Sequence, residues 1–344
     1  MGNGLQKIIG TIVLVGSLGV VGTIGGCQSS SNLPEVQITL ASFAVTKNVH
    51  KAVIPKFVEK WEREKKQRVV FKLSYGGSGA QTRAVMDGLP ADVVHLALGL
   101  DVEKLEKAGL IQPGWEGEAP NQSIVSRSVV AIVTRPGNPK QIKTFTDLAK
   151  PGVSWVTADP KTSGVARWNF LAVWNDALQS TQDPQKAEAI VTQAYHNVPV
   201  LARDAREAMD VFFKQAQGDA LVNYENEVMF IEGKGFKAPS VLPAHNISID
   251  NPIAIIDKNV DRHGNREVVE AFVQYLFSPE VQTEFAKSGF RPVTPEIAQA
   301  PENRTRFPTI PKLSTVQDFK GWSAVQKQFF ADGALFDRIQ AQKK

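Results

Sequence analysis

The chain has 344 residues, 42% hydrophobic and 22% charged, a globular composition that excludes fibrous and disordered classes and leaves room for two or three domains. Its 39 basic and 35 acidic side chains leave a formal charge of +4, and no Lys/Arg block tracks a nucleic-acid backbone, which argues against nucleic acid as a partner. The single cysteine, Cys27, rules out an internal disulfide framework, a thiolate metal cluster and a CxxC redox pair.

Residues 1–26 carry Lys7, an apolar run from Ile8 to Ile24 broken by Gly10, Gly16, Gly19 and Gly22, and then Gly25-Gly26 before Cys27. A membrane-spanning helix needs about 20 apolar residues. This run is shorter, and each interior glycine costs a helix about 1 kcal/mol, so the segment reads as a signal peptide. Small residues directly before a cysteine resemble the lipobox of bacterial lipoproteins, with Ile24 where leucine is usual. Cys27 is then the lipidated first residue of the mature protein, residues 27–35 are a tether, and the chain is held at a membrane from outside the cytoplasm. A cleaved secretory signal with an incidental cysteine is the other reading.

The mature chain alternates strand-like and helical patterns. Val36 to Phe43 predicts a strand. Lys47 to Lys65 carries Val49, Val53, Phe57 and Trp61 at fourfold spacing and predicts a helix. Val69 to Leu73, a helix over 80–87, a buried strand over 92–98 and a helix over 102–108 complete a β-α-β-α-β series, the pattern of a mostly parallel sheet covered by helices. A second series runs through strands at 129–134, 153–157, 199–201 and 220–223 and helices at 166–178, 185–196 and 205–216. After apolar stretches at 247–249 and 253–256 come helical patterns at 266–277 and 323–342, too few for a core of their own and expected to pack on the first domain. The predicted organisation is α/β with two lobes, residues 36–125 plus 250–344 and residues 126–249, and a cleft between them.

The strongest local signal is Ser74-Tyr75-Gly76-Gly77-Ser78-Gly79-Ala80, between a predicted strand and a predicted helix. Glycines let a ligand approach the backbone, and the first N–H groups of a helix lack intrahelical partners and sit at the positive end of its dipole. Neither the Walker pattern nor GxGxxG fits. The run comes within one residue of the G-x-S-x-G nucleophile elbow, so a secreted serine hydrolase using Ser78 is an alternative, although the histidines sit in no triad context. A plain glycine turn is another. The second half repeats the feature at Asp159-Pro160-Lys161-Thr162-Ser163-Gly164-Val165, and two such helix starts facing one cleft would converge their N–H groups on a single anion.

At these two segments the chain resembles the periplasmic sulfate-binding proteins, the extracytoplasmic receptors of ATP-driven sulfate and thiosulfate importers. Further stretches carry the likeness: Ala91-Asp92-Val93-Val94, Gly137-Asn138-Pro139, Lys150-Pro151-Gly152-Val153, Tyr224-Glu225-Asn226-Glu227, Phe290-Arg291-Pro292 and Gly321-Trp322. The resemblance implies the two-lobed type II periplasmic binding fold, each lobe a mostly parallel sheet flanked by helices. It also implies an oxyanion held by the N–H groups of Ala44, Ser78, Ser163, Gly164, Val165 and Ala205 and by the side chain of Tyr224. Ala44, Val165 and Tyr224 stand where the family has aspartate, glycine and tryptophan.

Fully ionised sulfate wants only donors, whereas phosphate near neutral pH brings protons that need a buried acceptor. A donor-only pocket therefore selects against phosphate, and Asp204, a potential acceptor beside Ala205, is expected to point away. Arg167, Arg203 and Arg206 are expected behind the helix starts. About six or seven charge-assisted bonds of roughly 1.5 to 3 kcal/mol each suffice for micromolar affinity without them. The reading is a monomeric extracytoplasmic lipoprotein, without catalysis or cofactor, that captures sulfate or thiosulfate and delivers it to the membrane permease of an ABC importer. Receptors for molybdate or phosphate are the alternatives within the binding class.

Overall fold

The computed structural model describes residues 33–343; the expected signal peptide, Cys27 and most of the tether lie outside them. Strands β1 (Glu35–Phe43), β2 (Arg68–Gly76), β3 (Val93–His95) and β4 (Ile124–Ser128) join the later β11 (Ile249–Ile255) in a five-stranded sheet of order β2-β1-β3-β11-β4. Strands β5 (Val130–Thr134), β6 (Trp155–Ala158), β7 (Leu201–Ala202), β8 (Ala220–Tyr224) and β9 (Ser240–Val241) form a second, of order β7-β6-β8-β5-β9. The first three strands of each order run parallel, and β11 and β5 run antiparallel to their neighbours. Both sheets are flanked by helices, as the alternating pattern predicts.

The chain leaves the first sheet at Ser128 and enters the second at Val130, with Val129 alone between them. It returns through β10 (His245–Ile247), which pairs with β12 (Lys312–Ser314), and then Ser248 and β11. In each sheet the connections diverge on either side of one strand, between β1 and β3 and between β6 and β8. The carboxyl ends of strands at such a switch point leave a crevice.

Helix α1 (Lys47–Lys65) buries Val49, Val53, Phe57 and Trp61 as their spacing requires. Helix α2 (Ser78–Met86) begins two residues earlier than its pattern suggests, because Gly77 is extended and serves as its N-cap. Helix α3 (Gly99–Lys107) follows β3. Helix α4 (Gly164–Thr181) is buried at every position from Gly164 to Ala177, so it needs cover on all sides. Helices α5 (Pro184–His196), α6 (Ala205–Phe213) and α7 (Glu225–Glu232) complete the second half.

The C-terminal segment departs from expectation. Instead of packing on the first sheet's half, Phe329, Phe330 and Phe336 stack edge-on or tilted against Phe170, Trp174 and Tyr195 of α4 and α5. The reason lies in α4, whose aromatic stripe would otherwise face water. The segment is also not one helix: it runs as Gly321–Val325, a π-helical turn Gln326–Phe330 and a helix Leu335–Gln342.

Candidate functional site

A small cavity, of about 10 Å³ measured as room for the centre of a water-sized sphere, lies where the carboxyl ends of the two switch-point strand pairs face each other. Phe43, Ala44 and Val45 reach it from the end of β1, Gly76 to Ser78 from the end of β2, and Ala97 from beyond β3. Ser163, Gly164 and Val165 enter from the turn after β6, Asp204 and Ala205 from the turn after β7, and Tyr224 from the end of β8. All seven residues singled out from the sequence, Ala44, Ser78, Ser163, Gly164, Val165, Ala205 and Tyr224, therefore line one space.

Helix starts dominate this lining. Ala44 opens a 3₁₀ turn (Ala44–Thr46), Ser78 opens α2, Gly164 and Val165 open α4, and Ala205 opens α6. Helix geometry gives these N–H groups no intrahelical acceptor. The N-cap residues Phe43, Gly77 and Ser163 supply no side-chain acceptor either. At α6 the cap works differently: the Asp204 carboxylate accepts from Arg206 N–H at 2.9 Å and from Glu207 N–H at 3.0 Å. That carboxylate is turned onto its own helix, and the Ala205 N–H is left over. Positive helix ends with free donors form an anion seat.

One expected donor is different. The Ser163 N–H donates to the Asp159 carbonyl at 2.9 Å, closing the turn that starts α4, so at position 163 the group left to face the cavity is the hydroxyl. At Ser78 the situation is reversed. Its hydroxyl donates to Asp101 Oδ2 at 2.7 Å and accepts from the Ala97 N–H at 3.0 Å, which leaves the main-chain N–H. No histidine is among those partners, so Ser78 has no base and the hydrolase alternative fails on geometry.

Tyr224 is the one aromatic donor in the lining. Its ring stands edge-on to Phe43, and its buried hydroxyl has no hydrogen-bond partner. Burial pushes the phenol well above its ordinary pKa, with Glu227 and Asp101 adding to the effect, so the group stays protonated and able to donate.

Arginines stand outside. Arg167 is buried beside Asp101, 3.8 Å away, and donates to the Pro160 carbonyl at 2.9 Å. Arg206 meets Glu227 at 2.7 Å. Arg203 is exposed and lies 3.6 Å from Asp204. None of the three lines the cavity. Among the described residues no cluster of three His, Cys, Asp or Glu side chains could hold a metal ion.

The two halves meet tightly around this space. The Trp168 indole N–H donates to the Ala97 carbonyl at 2.8 Å, and Arg83 donates to the Lys161 carbonyl at 3.1 Å. A Cβ at Gly164 would fall 2.6 Å from the Ala97 Cβ and collide with Leu98, and one at Gly77 would collide with the Thr162 carbonyl. Sequence reasoning assigned no role to Asp101 or Trp168; Asp101 lies 23 residues from Ser78, and no local pattern joins them.

The profile of the bacterial extracellular solute-binding proteins matches residues 38–291. The chain is 51% identical to the sulfate-binding protein of Synechococcus elongatus over 332 residues, 96% of this chain and 93% of that protein. It is 34% identical to the thiosulfate-binding protein of Pseudomonas aeruginosa, over 97% of this chain and 99% of that one. Among solved structures, the sulfate-binding protein SubI of Mycobacterium tuberculosis superposes with a TM-score of 0.77 at 34% identity, covering 86% of this chain and all of that one. The chain thus belongs to the bacterial extracellular solute-binding proteins, in the group that contains the sulfate- and thiosulfate-binding proteins, and is a binding protein rather than an enzyme.

Proposed function

We propose that this protein captures a fully ionised tetrahedral oxyanion, sulfate or thiosulfate, between the two sheets and hands it to the membrane permease of its importer. The observation that carries the reading is the convergence of four helix starts and an unpartnered buried Tyr224 hydroxyl on one cavity that no arginine lines. The bound anion accepts from the N–H groups of Ala44, Ser78, Gly164, Val165 and Ala205 and from the hydroxyls of Ser163 and Tyr224. Aligned peptide dipoles supply positive potential where no counter-ion is present. Asp204 Oδ1 is engaged as a helix cap and Oδ2 lies 3.6 Å from Arg203, so the lining presents mainly donors, which disfavours hydrogen phosphate by about 1 to 3 kcal/mol.

The halves built on the two sheets act as lobes, and the ligand stabilises the closed arrangement because only there is the donor set complete. The protein works as a monomer. Residues 1–26 direct it across the membrane, and lipidated Cys27 tethers it there. Among the described residues no helix is long and apolar enough to cross a membrane. The names of the relatives support both anions.

Calorimetric titration with sulfate, thiosulfate, molybdate and phosphate tests the assignment. Saturable heats with sulfate or thiosulfate and none with phosphate are expected; tight phosphate binding, or silence with both sulfur anions, contradicts it.

A further inference from the structure

Two stretches singled out in the sequence, Tyr224-Glu225-Asn226-Glu227 and Phe290-Arg291-Pro292, meet beside the cavity. Glu225 is the first residue of α7, and its buried carboxylate accepts a two-pronged donation from Arg291, from Nε at 2.7 Å and Nη2 at 2.9 Å. The partners belong to different halves. Glu225 follows β8 of the second sheet, whereas Arg291 lies just past the helix Pro279–Lys287 and exchanges main-chain hydrogen bonds of 2.9 and 2.8 Å with Arg127 in β4 of the first sheet. Arg291 Nη2 also donates to the Pro308 carbonyl at 3.0 Å, which holds the guanidinium in place. Neighbouring residues repeat the join. The Ser128 hydroxyl, at the end of β4, donates to Asn226 Oδ1 at 3.0 Å, and a Cβ at Gly289 would fall 3.0 Å from the Asn226 Cα. The first turn of α7 is therefore clamped by the half to which it does not belong.

Tyr224 is the residue this clamp governs. It ends β8 and is the N-cap of α7, with an extended backbone and no side-chain cap hydrogen bond. Its N–H donates to Asn223 Oδ1 at 2.9 Å, and the next N–H, of Glu225, donates to the Val129 carbonyl at 2.9 Å. The hydroxyl at the far end of the ring has no partner, so nothing at the tip fixes its direction. Direction comes from the main chain, and a small displacement of the start of α7 is magnified along the ring. A buried ion pair adds little stability over well-packed apolar side chains, and its best attested use is to select one arrangement.

We propose that Glu225 and Arg291 are positioning residues for anion capture: their ion pair, made across the crossing between the two halves, sets the start of α7 and so aims the Tyr224 hydroxyl into the cavity. The proposal rests on the anion-binding reading above, with Tyr224 as one of its donors. Neither Glu225 nor Arg291 lines the cavity, so an effect of either on affinity passes through a group that does. The two-pronged geometry belongs to a guanidinium and a carboxylate. Lysine keeps the charge but has no fork, and glutamine keeps the shape but turns an NH₂ group toward the donors of the arginine.

The test is a double-mutant cycle read by calorimetric sulfate titration of the purified protein. Glu225→Gln and Arg291→Lys are each made in the parent and in Tyr224→Phe, with urea unfolding of every variant alongside. In the parent, each change should weaken sulfate binding about five- to tenfold, part of the value of one hydrogen bond to a charged group. In Tyr224→Phe, which has no hydroxyl to aim, the same changes should cost less than about twofold. Arg291→Lys leaves the buried carboxylate a counter-charge, so the cycle stands on that variant if Glu225→Gln unfolds. Equal losses in the two backgrounds overturn the proposal and leave the anion reading intact. So does unchanged affinity in the parent background, even with a lowered urea midpoint. Tyr224→Phe binding sulfate as tightly as the parent also overturns it, and a parent that binds no sulfate overturns both.

Discussion

Trp168, on the first helical turns of α4, donates its indole N–H to the main-chain carbonyl of Ala97 at 2.8 Å, and both groups are buried. Ala97 follows β3 of the first sheet, while α4 belongs to the second, so one hydrogen bond ties the two halves together beside the cavity. Its partner carbonyl is also within 3.4 Å of the Asn251 side-chain amide. Trp168→Phe keeps most of the packing against Trp322 and deletes the donor. The expected result is weaker sulfate binding by about 1 kcal/mol, mostly as faster dissociation in stopped-flow measurements, since the bond exists only when the halves are together. An unchanged off-rate would remove Trp168 from closure.

Gly164 is where the halves approach most closely. A Cβ there meets Ala97 and Leu98, and overpacking of that kind costs about 1 to 3 kcal/mol. Gly164→Ala should lose ten- to a hundredfold in sulfate affinity while melting, without ligand, close to the parent, because the open arrangement relieves the clash. A large fall in ligand-free melting temperature would show instead that the glycine serves folding.

Tyr224→Phe separates ligand contact from stability by sign. The hydroxyl is buried without a partner, a cost of about 1 to 3 kcal/mol that phenylalanine avoids. Ligand-free stability by urea titration should therefore hold or rise. Sulfate affinity should fall by roughly 1.5 to 3 kcal/mol, the value of a hydrogen bond to a charged group. Both quantities falling together would argue for a structural role.

A buried chain of rings sets the response to acid. His50 Nε2 lies 3.1 Å from His95 Nδ1, and His50 Nδ1 lies 3.1 Å from the Tyr75 hydroxyl. Burial lowers the His50 pKa to about 3, and burial together with His50 lowers that of His95 well below its usual value. Both rings are neutral in the fold but take up protons in the unfolded chain below about pH 6.5. The unfolded state then binds more protons, so stability rises with pH between about 3 and 6.5 and is lost as pH falls through that window. For His50 alone the loss at about pH 5 is on the order of 2 kcal/mol. Urea unfolding across this range should show it, and His50→Gln should flatten the slope; an unaltered slope would assign the acid response elsewhere.

How much of this could be read from the chain depended on whether the information was local. The fourfold spacing of Val49 to Trp61 announces α1, and the glycine and serine runs at 76–79 and 163–164 announce helix starts, because dihedral freedom and capping act within a few residues. The contacts that finish the site are not local. Ser78 is oriented by Asp101 and Ala97, the Ser163 N–H is taken by Asp159, and α4 is covered by Phe329, Phe330 and Phe336 from the far end of the chain. Those follow from tertiary packing, for which periodicity carries no signal. The brief α7 was hidden for a related reason: Glu225, Asn226 and Glu227, charged or polar yet buried, disguise its apolar face.

Amide chemical shifts measured with and without sulfate address the main-chain seat most directly. Hydrogen bonding to a dianion should move the ¹H–¹⁵N signals of Ala44, Ser78, Gly164, Val165 and Ala205 downfield together at one saturating stoichiometry, with the Ser163 amide moving least among the lining residues. Shifts confined to the Nε–H signals of Arg167, Arg203 and Arg206, with those five amides unmoved, would contradict the account.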